Sequence, residues 1–313
     1  MRRRPIRRCA RYCRNSSVRS RHDQGDRLTM PSEHVDSVRS DDHIVDCHAH
    51  IIDPARFPFT GARGYQPRHD ESGTREQFCA MLDRHGVGHA VLVQLSGYGT
   101  DNAALLDSME AYPGRFKAIA VIAPDANDRT LESFAAAGVI GVRFNLVSYD
   151  PAALSRRDAP KLLQRLRSVG WFAQVYADDE QWPAAAAALK ASGVQVLIDH
   201  FGVRDIARGT GDAGFQSVLA LGREGNATVK LSSLFRVSRQ RTDFSDLDPF
   251  VDELLSVFGV DRCIWGSDWP FINVPHRPRY ADLIVPLSRW LPDTGDRTRV
   301  FVHNPKRLFG FTD

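Results

Sequence analysis

The feature that most limits the fold is a rhythm. From Ile44 onward, eight short apolar or β-branched runs alternate with Ala- and Leu-rich segments of helical length. The runs cover 44–48, 90–95, 117–123, 139–145, 171–176, 194–199, 227–232 and 262–267. The helical segments cover 75–85, 102–111, 129–137, 160–169, 180–191, 213–223, 247–258 and 279–290. Thr74 with Gln77 makes a capping box, and Asp101 and Asp128 are read as N-caps. Gly86, Gly138, Gly170 and Gly193 each stand where a helix would end in a left-handed residue. Strands that are apolar throughout, joined by helices, form a parallel sheet covered on both faces. Eight such units predict a closed (β/α)8 TIM barrel, with an open doubly wound sheet as the competing arrangement. A chain of 313 residues has room for two average domains, but single α/β barrels commonly run to ~200–250 residues or more. One barrel domain over 44–313 is therefore expected, behind a disordered extension over 1–43.

Charge sets that extension apart. Of 41 basic and 38 acidic residues in all, the stretch before Met30 takes ten Arg and two Asp, leaving the remainder at net −5. The basic head lacks the apolar core of a secretory signal, and Met30 offers an alternative start. An acidic body argues against nucleic-acid binding. No apolar run reaches the ~18 residues of a membrane span, so no membrane partner is expected. The five cysteines (Cys9, Cys13, Cys47, Cys79, Cys263) form no CxxC pair, and Cys47 and Cys263 fall inside apolar runs. That usage suits a reducing compartment and a cytoplasmic location.

Polar residues then acquire addresses, because catalytic groups in such a barrel lie at the C-terminal ends of strands. His48 and His50 end the first run, His200 follows the sixth and Asp268 follows the eighth. Strict alternation puts Asp46, His48 and His50 on one face, Val196, Ile198 and His200 on another, and Ile264, Gly266 and Asp268 on a third. Two imidazoles at this spacing can hold a divalent cation or a water; a solvated edge strand or a hydrogen-bonded histidine pair is the plainer reading. For Asp268 the plainer reading is a turn carboxylate.

Asp46-Cys47-His48-Ala49-His50, the His after strand six and the Asp after strand eight resemble the amidohydrolase superfamily of (β/α)8 hydrolases. Within it the chain is similar to the branch of pyrone-dicarboxylate, muconolactone and sugar lactonases. The similarity rests on Gly141-Val142-Arg143-Phe144-Asn145, Ile198-Asp199-His200-Phe201-Gly202, Val229-Lys230-Leu231-Ser232, Trp265-Gly266-Ser267-Asp268-Trp269-Pro270 and Asn304-Pro305-Lys306-Arg307-Leu308-Phe309-Gly310. Members with two metals add an anionic bridge on strand four and a His on strand five; here those strands offer Arg143, Asn145, Gln174 and Tyr176, so a binuclear centre is not expected. His48, His50, His200 and Asp268 remain as ligands for one zinc-like ion, and the branch also includes a lactonase that works without metal.

The chemistry implied is ester hydrolysis. Asp268 acts as general base on a water, and a cation, or protonated His200 with His48 and His50, stabilises the oxyanion. By similarity, Arg143, Tyr176 and Arg236 match positions that hold substrate carboxylates, and Ser96 and Tyr65 add hydroxyl contacts. Arg143 has the alternative of pairing with a core acid such as Asp46, and Arg236 that of a surface residue. Where the dicarboxylate lactonase carries a second basic residue on this loop, the chain has Tyr149, which favours a monocarboxylated or sugar lactone. The expectation is a lactone-opening hydrolase of small-molecule catabolism. A mononuclear-metal decarboxylase and a non-catalytic ligand-binding barrel are the alternatives.

Overall fold

The computed structural model describes residues 43–59 and 65–312. The expected N-terminal extension through residue 42, with the alternative start at Met30, lies outside the described residues. Eight strands, β1 (Ile44–Ala49), β2 (Val87–Val93), β3 (Phe116–Ala120), β4 (Val139–Asn145), β5 (Phe172–Tyr176), β6 (Gln195–Ile198), β7 (Ala227–Ser232) and β8 (Cys263–Gly266), pair in sequence order. All pairings are parallel. The chain leaving β8 returns to β1: the Asp268 amide donates to the His48 carbonyl at 2.7 Å, and the His50 amide to the Trp269 carbonyl at 2.8 Å. These bonds close the sheet, and the predicted barrel is the observed one.

The first seven predicted helices are present with ends shifted by no more than two residues. Thr74 and Gln77 form their capping box, and the four C-terminal glycines take φ values of 65°, 97°, 72° and 63°. Two cap assignments are corrected. Asn127, not Asp128, caps helix Asp128–Ala136 by accepting from the Thr130 amide, which puts Asp128 in the first turn, where a carboxylate meets the helix dipole. Asp101 accepts from the Ala103 amide from one position ahead of the cap residue, Asn102. The eighth helix is broken into a 3₁₀ turn, Tyr280–Leu283, and a helix, Val285–Trp290. Pro286 has no amide proton to donate, so it fits only the first turn of a fresh helix. β2 starts at Val87 rather than at residue 90 because Gly88 and His89 hide its first ladder positions from an apolar count.

Two hydrophobic shells result. The larger lies between strands and helices. The smaller fills the barrel and joins Val45, Cys47, Val91, Val93, Ile119, Phe172, Leu197 and Ile264 to Phe309 and Phe311 from the C-terminal segment. Phe309 packs edge-on against Phe172 at the start of β5, and Phe311 lies beside His89 at the start of β2. Both rings therefore occupy the N-terminal end of the barrel, where burying each contributes roughly 1.5–3 kcal/mol. Cys47, Cys79 and Cys263 are free thiols, all buried. Among the described residues no helix is long and apolar enough to cross a membrane.

Candidate active site

The site begins with an irregularity in β1. Its register against β2 runs from Asp46↔Ala90 to Ala49↔Leu92, three steps along β1 against two along β2. A bulge of this kind reverses the alternation of side chains beyond it. Asp46 consequently parts from His48, which corrects the expectation that Asp46, His48 and His50 share a face. The Asp46 carboxylate accepts from the His48 amide, from the Ser267 amide (2.8 Å) and hydroxyl (2.5 Å), and from the Tyr280 hydroxyl (3.0 Å), pinning β1 to the segment after β8. Burial pushes its pKa up from 3.8 to about 6 even against those donors.

His48 turns into the barrel. Its Nδ1 lies 3.2 Å from Asp199 Oδ1 and 3.4 Å from Lys230 Nζ, while its Nε2, buried and without a hydrogen-bond partner, lies 3.7 Å from Asp268 Oδ1. His50 Nδ1 bonds to the Val93 carbonyl at 2.7 Å. A carbonyl only accepts, so Nδ1 carries a proton, and Nε2 lies 3.4 Å from Asp268 Oδ1. Asp268 itself has φ 65°, a left-handed conformation that turns its carboxylate into the mouth just after β8. Oδ2 accepts from Ser233 Oγ at 2.7 Å and from Arg236 Nε at 2.6 Å, which leaves Oδ1 for the two imidazoles. Burial would raise this carboxyl, but the Arg236 guanidinium bonded to Oδ2 holds it well below the usual carboxylate range. Asp268 is thus ionised at neutral pH.

On β6 the face prediction fails in an informative way. Leu197 packs in the barrel interior, with Asp199 two residues on beside Lys230, whereas Val196 and Ile198 belong to the outer shell. His200 reaches the mouth because it and Phe201 adopt left-handed φ values of 52° and 63°, which swing the ring back over the barrel. Its ring lies tilted at 43° to that of His48 with 4.6 Å between centroids, and its Nδ1 bonds to Ser232 Oγ at 2.9 Å. Burial lowers the His200 pKa to about 4 despite Asp268 and Asp199 nearby. It is a neutral imidazole at pH 7, which corrects the expected protonated oxyanion donor. In the tautomer in which the Ser232 hydroxyl donates to Nδ1, the neutral ring presents an Nε2–H.

These groups open onto a cavity of about 450 Å³. His50, His200, Asp268, Arg143, Tyr176, Arg236, Ser96 and Tyr65 all line it; His48 lies beneath its floor. Arg143 does pair with a core acid, Asp199 rather than Asp46: Nε lies 3.7 Å from Asp199 Oδ2 without a formed hydrogen bond, and Nη1 donates to the Gln94 carbonyl at 3.0 Å. Arg236 is at the site rather than on open surface, with Nη2 donating to the Ile272 carbonyl. The Tyr65 hydroxyl donates to buried Glu71 at 2.5 Å, so toward a ligand it offers only lone pairs. Ser96 Oγ accepts from Asn145 Nδ2 at 2.6 Å. Tyr149 does not line the cavity; its hydroxyl lies against Gly99.

Sequence reasoning missed four contributors. Lys230 and Gln174 are completely buried on β7 and β5, and Asp199 and Arg204 follow β6. Arg204 lines the cavity, lies over the Tyr176 ring at 5.3 Å and donates to its hydroxyl. An isolated basic residue in a strand gives no signal of burial; only the adjacent Asp-His pair after β6 hinted that Asp199 belongs here.

Two sets of side chains among the described residues have ligand atoms close enough together for one metal ion: His48, His50 and Asp268, and His48, Asp199 and His200. The expected quartet is therefore not one set, since His200 joins only through Asp199. The first set fits better. It offers an orphaned Nε2, a second Nε2 fixed by Val93 and a carboxylate oxygen free of other bonds, whereas Asp199 is already engaged by Lys230 and Gln174.

Comparison with known proteins agrees with this architecture. A profile described as amidohydrolase matches residues 45–311. The chain is 30% identical over 270 residues to a 4-sulfomuconolactone hydrolase of Hydrogenophaga intermedia, covering 85% of this chain and 88% of that one. It is 28% identical over 276 residues to a 2-pyrone-4,6-dicarboxylate hydrolase of Comamonas testosteroni, covering 85% and 89%. Among solved structures, a probable 2-pyrone-4,6-dicarboxylic acid hydrolase of Acinetobacter baumannii with citric acid bound superposes with a TM-score of 0.79 at 30% identity, over 86% of this chain and all of that one. With the barrel, the strand-end histidines and the strand-eight carboxylate in their places, the chain belongs to the amidohydrolase family.

Proposed function

We propose that the cavity binds a carboxylated lactone and opens it by hydrolysis, as a step in small-molecule catabolism. The observation that carries this reading is the division of labour at Asp268, with Oδ2 anchored by Arg236 and Ser233 and Oδ1 free at the cavity. An ionised carboxylate held this way accepts a proton from a water at Oδ1 as that water attacks the lactone carbonyl. The charge gathering on the carbonyl oxygen meets the Nε2–H of His200. Collapse breaks the ring C–O bond, and the proton held on Oδ1 passes to the departing oxygen, so lactone and water leave as one hydroxy acid. His48, His50 and Asp268 are the residues that would hold a divalent ion, which when bound would acidify the water and polarise the carbonyl.

Arg143 brings a buried guanidinium to the cavity wall for the substrate carboxylate. Of the loop after β4, Val147 and Ser148 reach the cavity and bring no cation to it, Tyr149 being turned toward Gly99. This supports a substrate with a single carboxylate near β4, and it matches the relatives' lactone chemistry without requiring a pyrone dicarboxylate. The three buried free thiols support a reducing, cytoplasmic setting. The test is a panel of carboxylated and sugar lactones followed by acid release, with metal analysis of the purified chain. Asp268→Asn is expected to bind the active lactone and not turn it over; full activity in that variant refutes the assigned base. Release of carbon dioxide instead of acid would favour the decarboxylase.

A further inference from the structure

The cavity wall between β4 and the turn after β2 carries a hydrogen-bond network whose direction is fixed by two backbone amides. Asn145, the last residue of β4, is 4% exposed and shares a face of the strand with Arg143. Its Oδ1 accepts from the amides of Val147 at 3.2 Å and Ser148 at 3.0 Å. A backbone amide only donates, so the atom facing these two is the oxygen, and the atom on the other side is the nitrogen with its two protons. That nitrogen lies 2.6 Å from Ser96 Oγ and 2.9 Å from Ser148 Oγ, and both hydroxyls accept from it. Turning the amide over would set two amide protons against its own NH2 group.

The consequence falls on the serines. Each hydroxyl has one proton, and each already has a lone pair engaged by Asn145. The two oxygens are 3.5 Å apart, beyond the ~2.5–3.0 Å of an O–H···O bond, so neither proton is committed to the other serine. Among the described residues no carbonyl or carboxylate accepts from either hydroxyl. Ser96, Ser148, Asn145 and Arg143 all line the cavity, which is where the two protons are left to point. We propose that Asn145 is a positioning residue that fixes Ser96 and Ser148 as a pair of donors at the cavity, and that this pair receives the ligand carboxylate beside Arg143.

A carboxylate suits the pair because it only accepts: each of its oxygens takes one hydroxyl proton, and bonds to a charged acceptor are the stronger ones. A carboxamide does not, because its NH2 group needs an acceptor where Arg143, Ser96 and Ser148 present donors. The choice of a carboxylate rests on the lactone reading above, whereas the direction of the hydroxyls does not.

Neutron diffraction from deuterium-exchanged crystals of the full chain reads that direction. The expected result is one Asn145 Nδ2 deuteron toward each serine, and both serine deuterons directed into the cavity. A serine deuteron pointing at Asn145 or at the other serine overturns the proposal. The ligand is tested by calorimetric titration with tetrahydrofuroate, a cyclic ether acid with no ester to open, and with its primary amide. Ser148→Ala, at an exposed loop position, and Ser96→Ala each remove one donor without adding charge. Each is expected to weaken binding of the acid about 10–100-fold and that of the amide less than about threefold. Asn145→Asp still accepts from both loop amides but draws the serine protons toward itself, so it is expected to lose the preference for the acid altogether. Serine variants that bind the acid as wild type does, or an Asn145→Asp chain that keeps the wild-type preference, overturn the proposal. If wild type binds neither probe and turns over no lactone, the functional reading fails, and the diffraction result alone decides the donor pair.

Discussion

Gly266, the last residue of β8, is where stability and chemistry are most tightly joined. A Cβ added there would sit 2.7 Å from the His48 amide nitrogen, 2.8 Å from the His48 Cβ and 3.2 Å from the Cys47 carbonyl carbon. None of these is the far end of a flexible side chain. Restoring ordinary contact at about 3.5 Å means parting β8 from β1 by roughly 0.7–0.8 Å. The bonds from Asp268 to His48 and from His50 to Trp269, at 2.7 and 2.8 Å, resist that movement. Overpacking of this kind costs about 1–3 kcal/mol. At about 2–4 °C per kcal/mol for a domain of this size, Gly266→Ala should lower Tm by roughly 2–12 °C. The same displacement moves the His48 ring relative to Asp268, and a misplacement near 1 Å costs about 100-fold in rate, so kcat should fall at least tenfold. Calorimetric melts and steady-state kinetics on one preparation measure both effects. Gly211→Ala, with open space around the added Cβ, is the control and should change neither. A Gly266→Ala protein that melts within a degree of wild type and turns over at the wild-type rate refutes the claim that this close approach sets the site.

Other perturbations test the electrostatics. Arg236 is the foremost charge holding Asp268 low, so Arg236→Gln should move the acidic limb of kcat/KM to higher pH; a limb that stays in place refutes the assignment. Asp46 is a carboxyl raised from 3.8 to about 6 by burial, so the folded state binds its proton more tightly than the unfolded state does. Its contribution is therefore lost as pH rises from about 4 through 6, at a cost on the order of 3 kcal/mol. Urea denaturation between pH 4 and 7 should show a slope near one proton that Asp46→Asn flattens, and an equal slope in both proteins refutes it. Tyr65→Phe deprives buried Glu71 of a donor and should cost about 1–3 kcal/mol with a raised KM; unchanged denaturation would show that the Tyr65–Glu71 bond holds nothing.

The barrel was legible because each of its signals is local. Apolar runs, caps and the four left-handed glycines all act within a turn or two of chain, and eight repeats of them leave few topologies open. The convergence of His48, His50, His200 and Asp268 was legible for a related reason, since every one of them ends a strand and strand ends share a rim. Directions within the rim were less readable. The β1 bulge carries no Gly or Pro to announce it and depends on Ser267 and Tyr280, more than 200 residues away, capturing Asp46. On β6 strict alternation chose the wrong face because the chain turns left-handed at His200. Lys230 stayed hidden because a strand lysine ordinarily marks a solvated edge, and its partners Gln174 and Asp199 lie 56 and 31 positions away on other strands or their ends.

The aromatic pair Phe309 and Phe311 has a consequence for proton traffic. With those rings stoppering one end of the cylinder, the way from Lys230 and His48 to bulk water among the described residues is through the mouth. A ligand seated there corks the other end, so for as long as it stays the proton inventory of the interior is fixed at whatever the chain held when the ligand arrived.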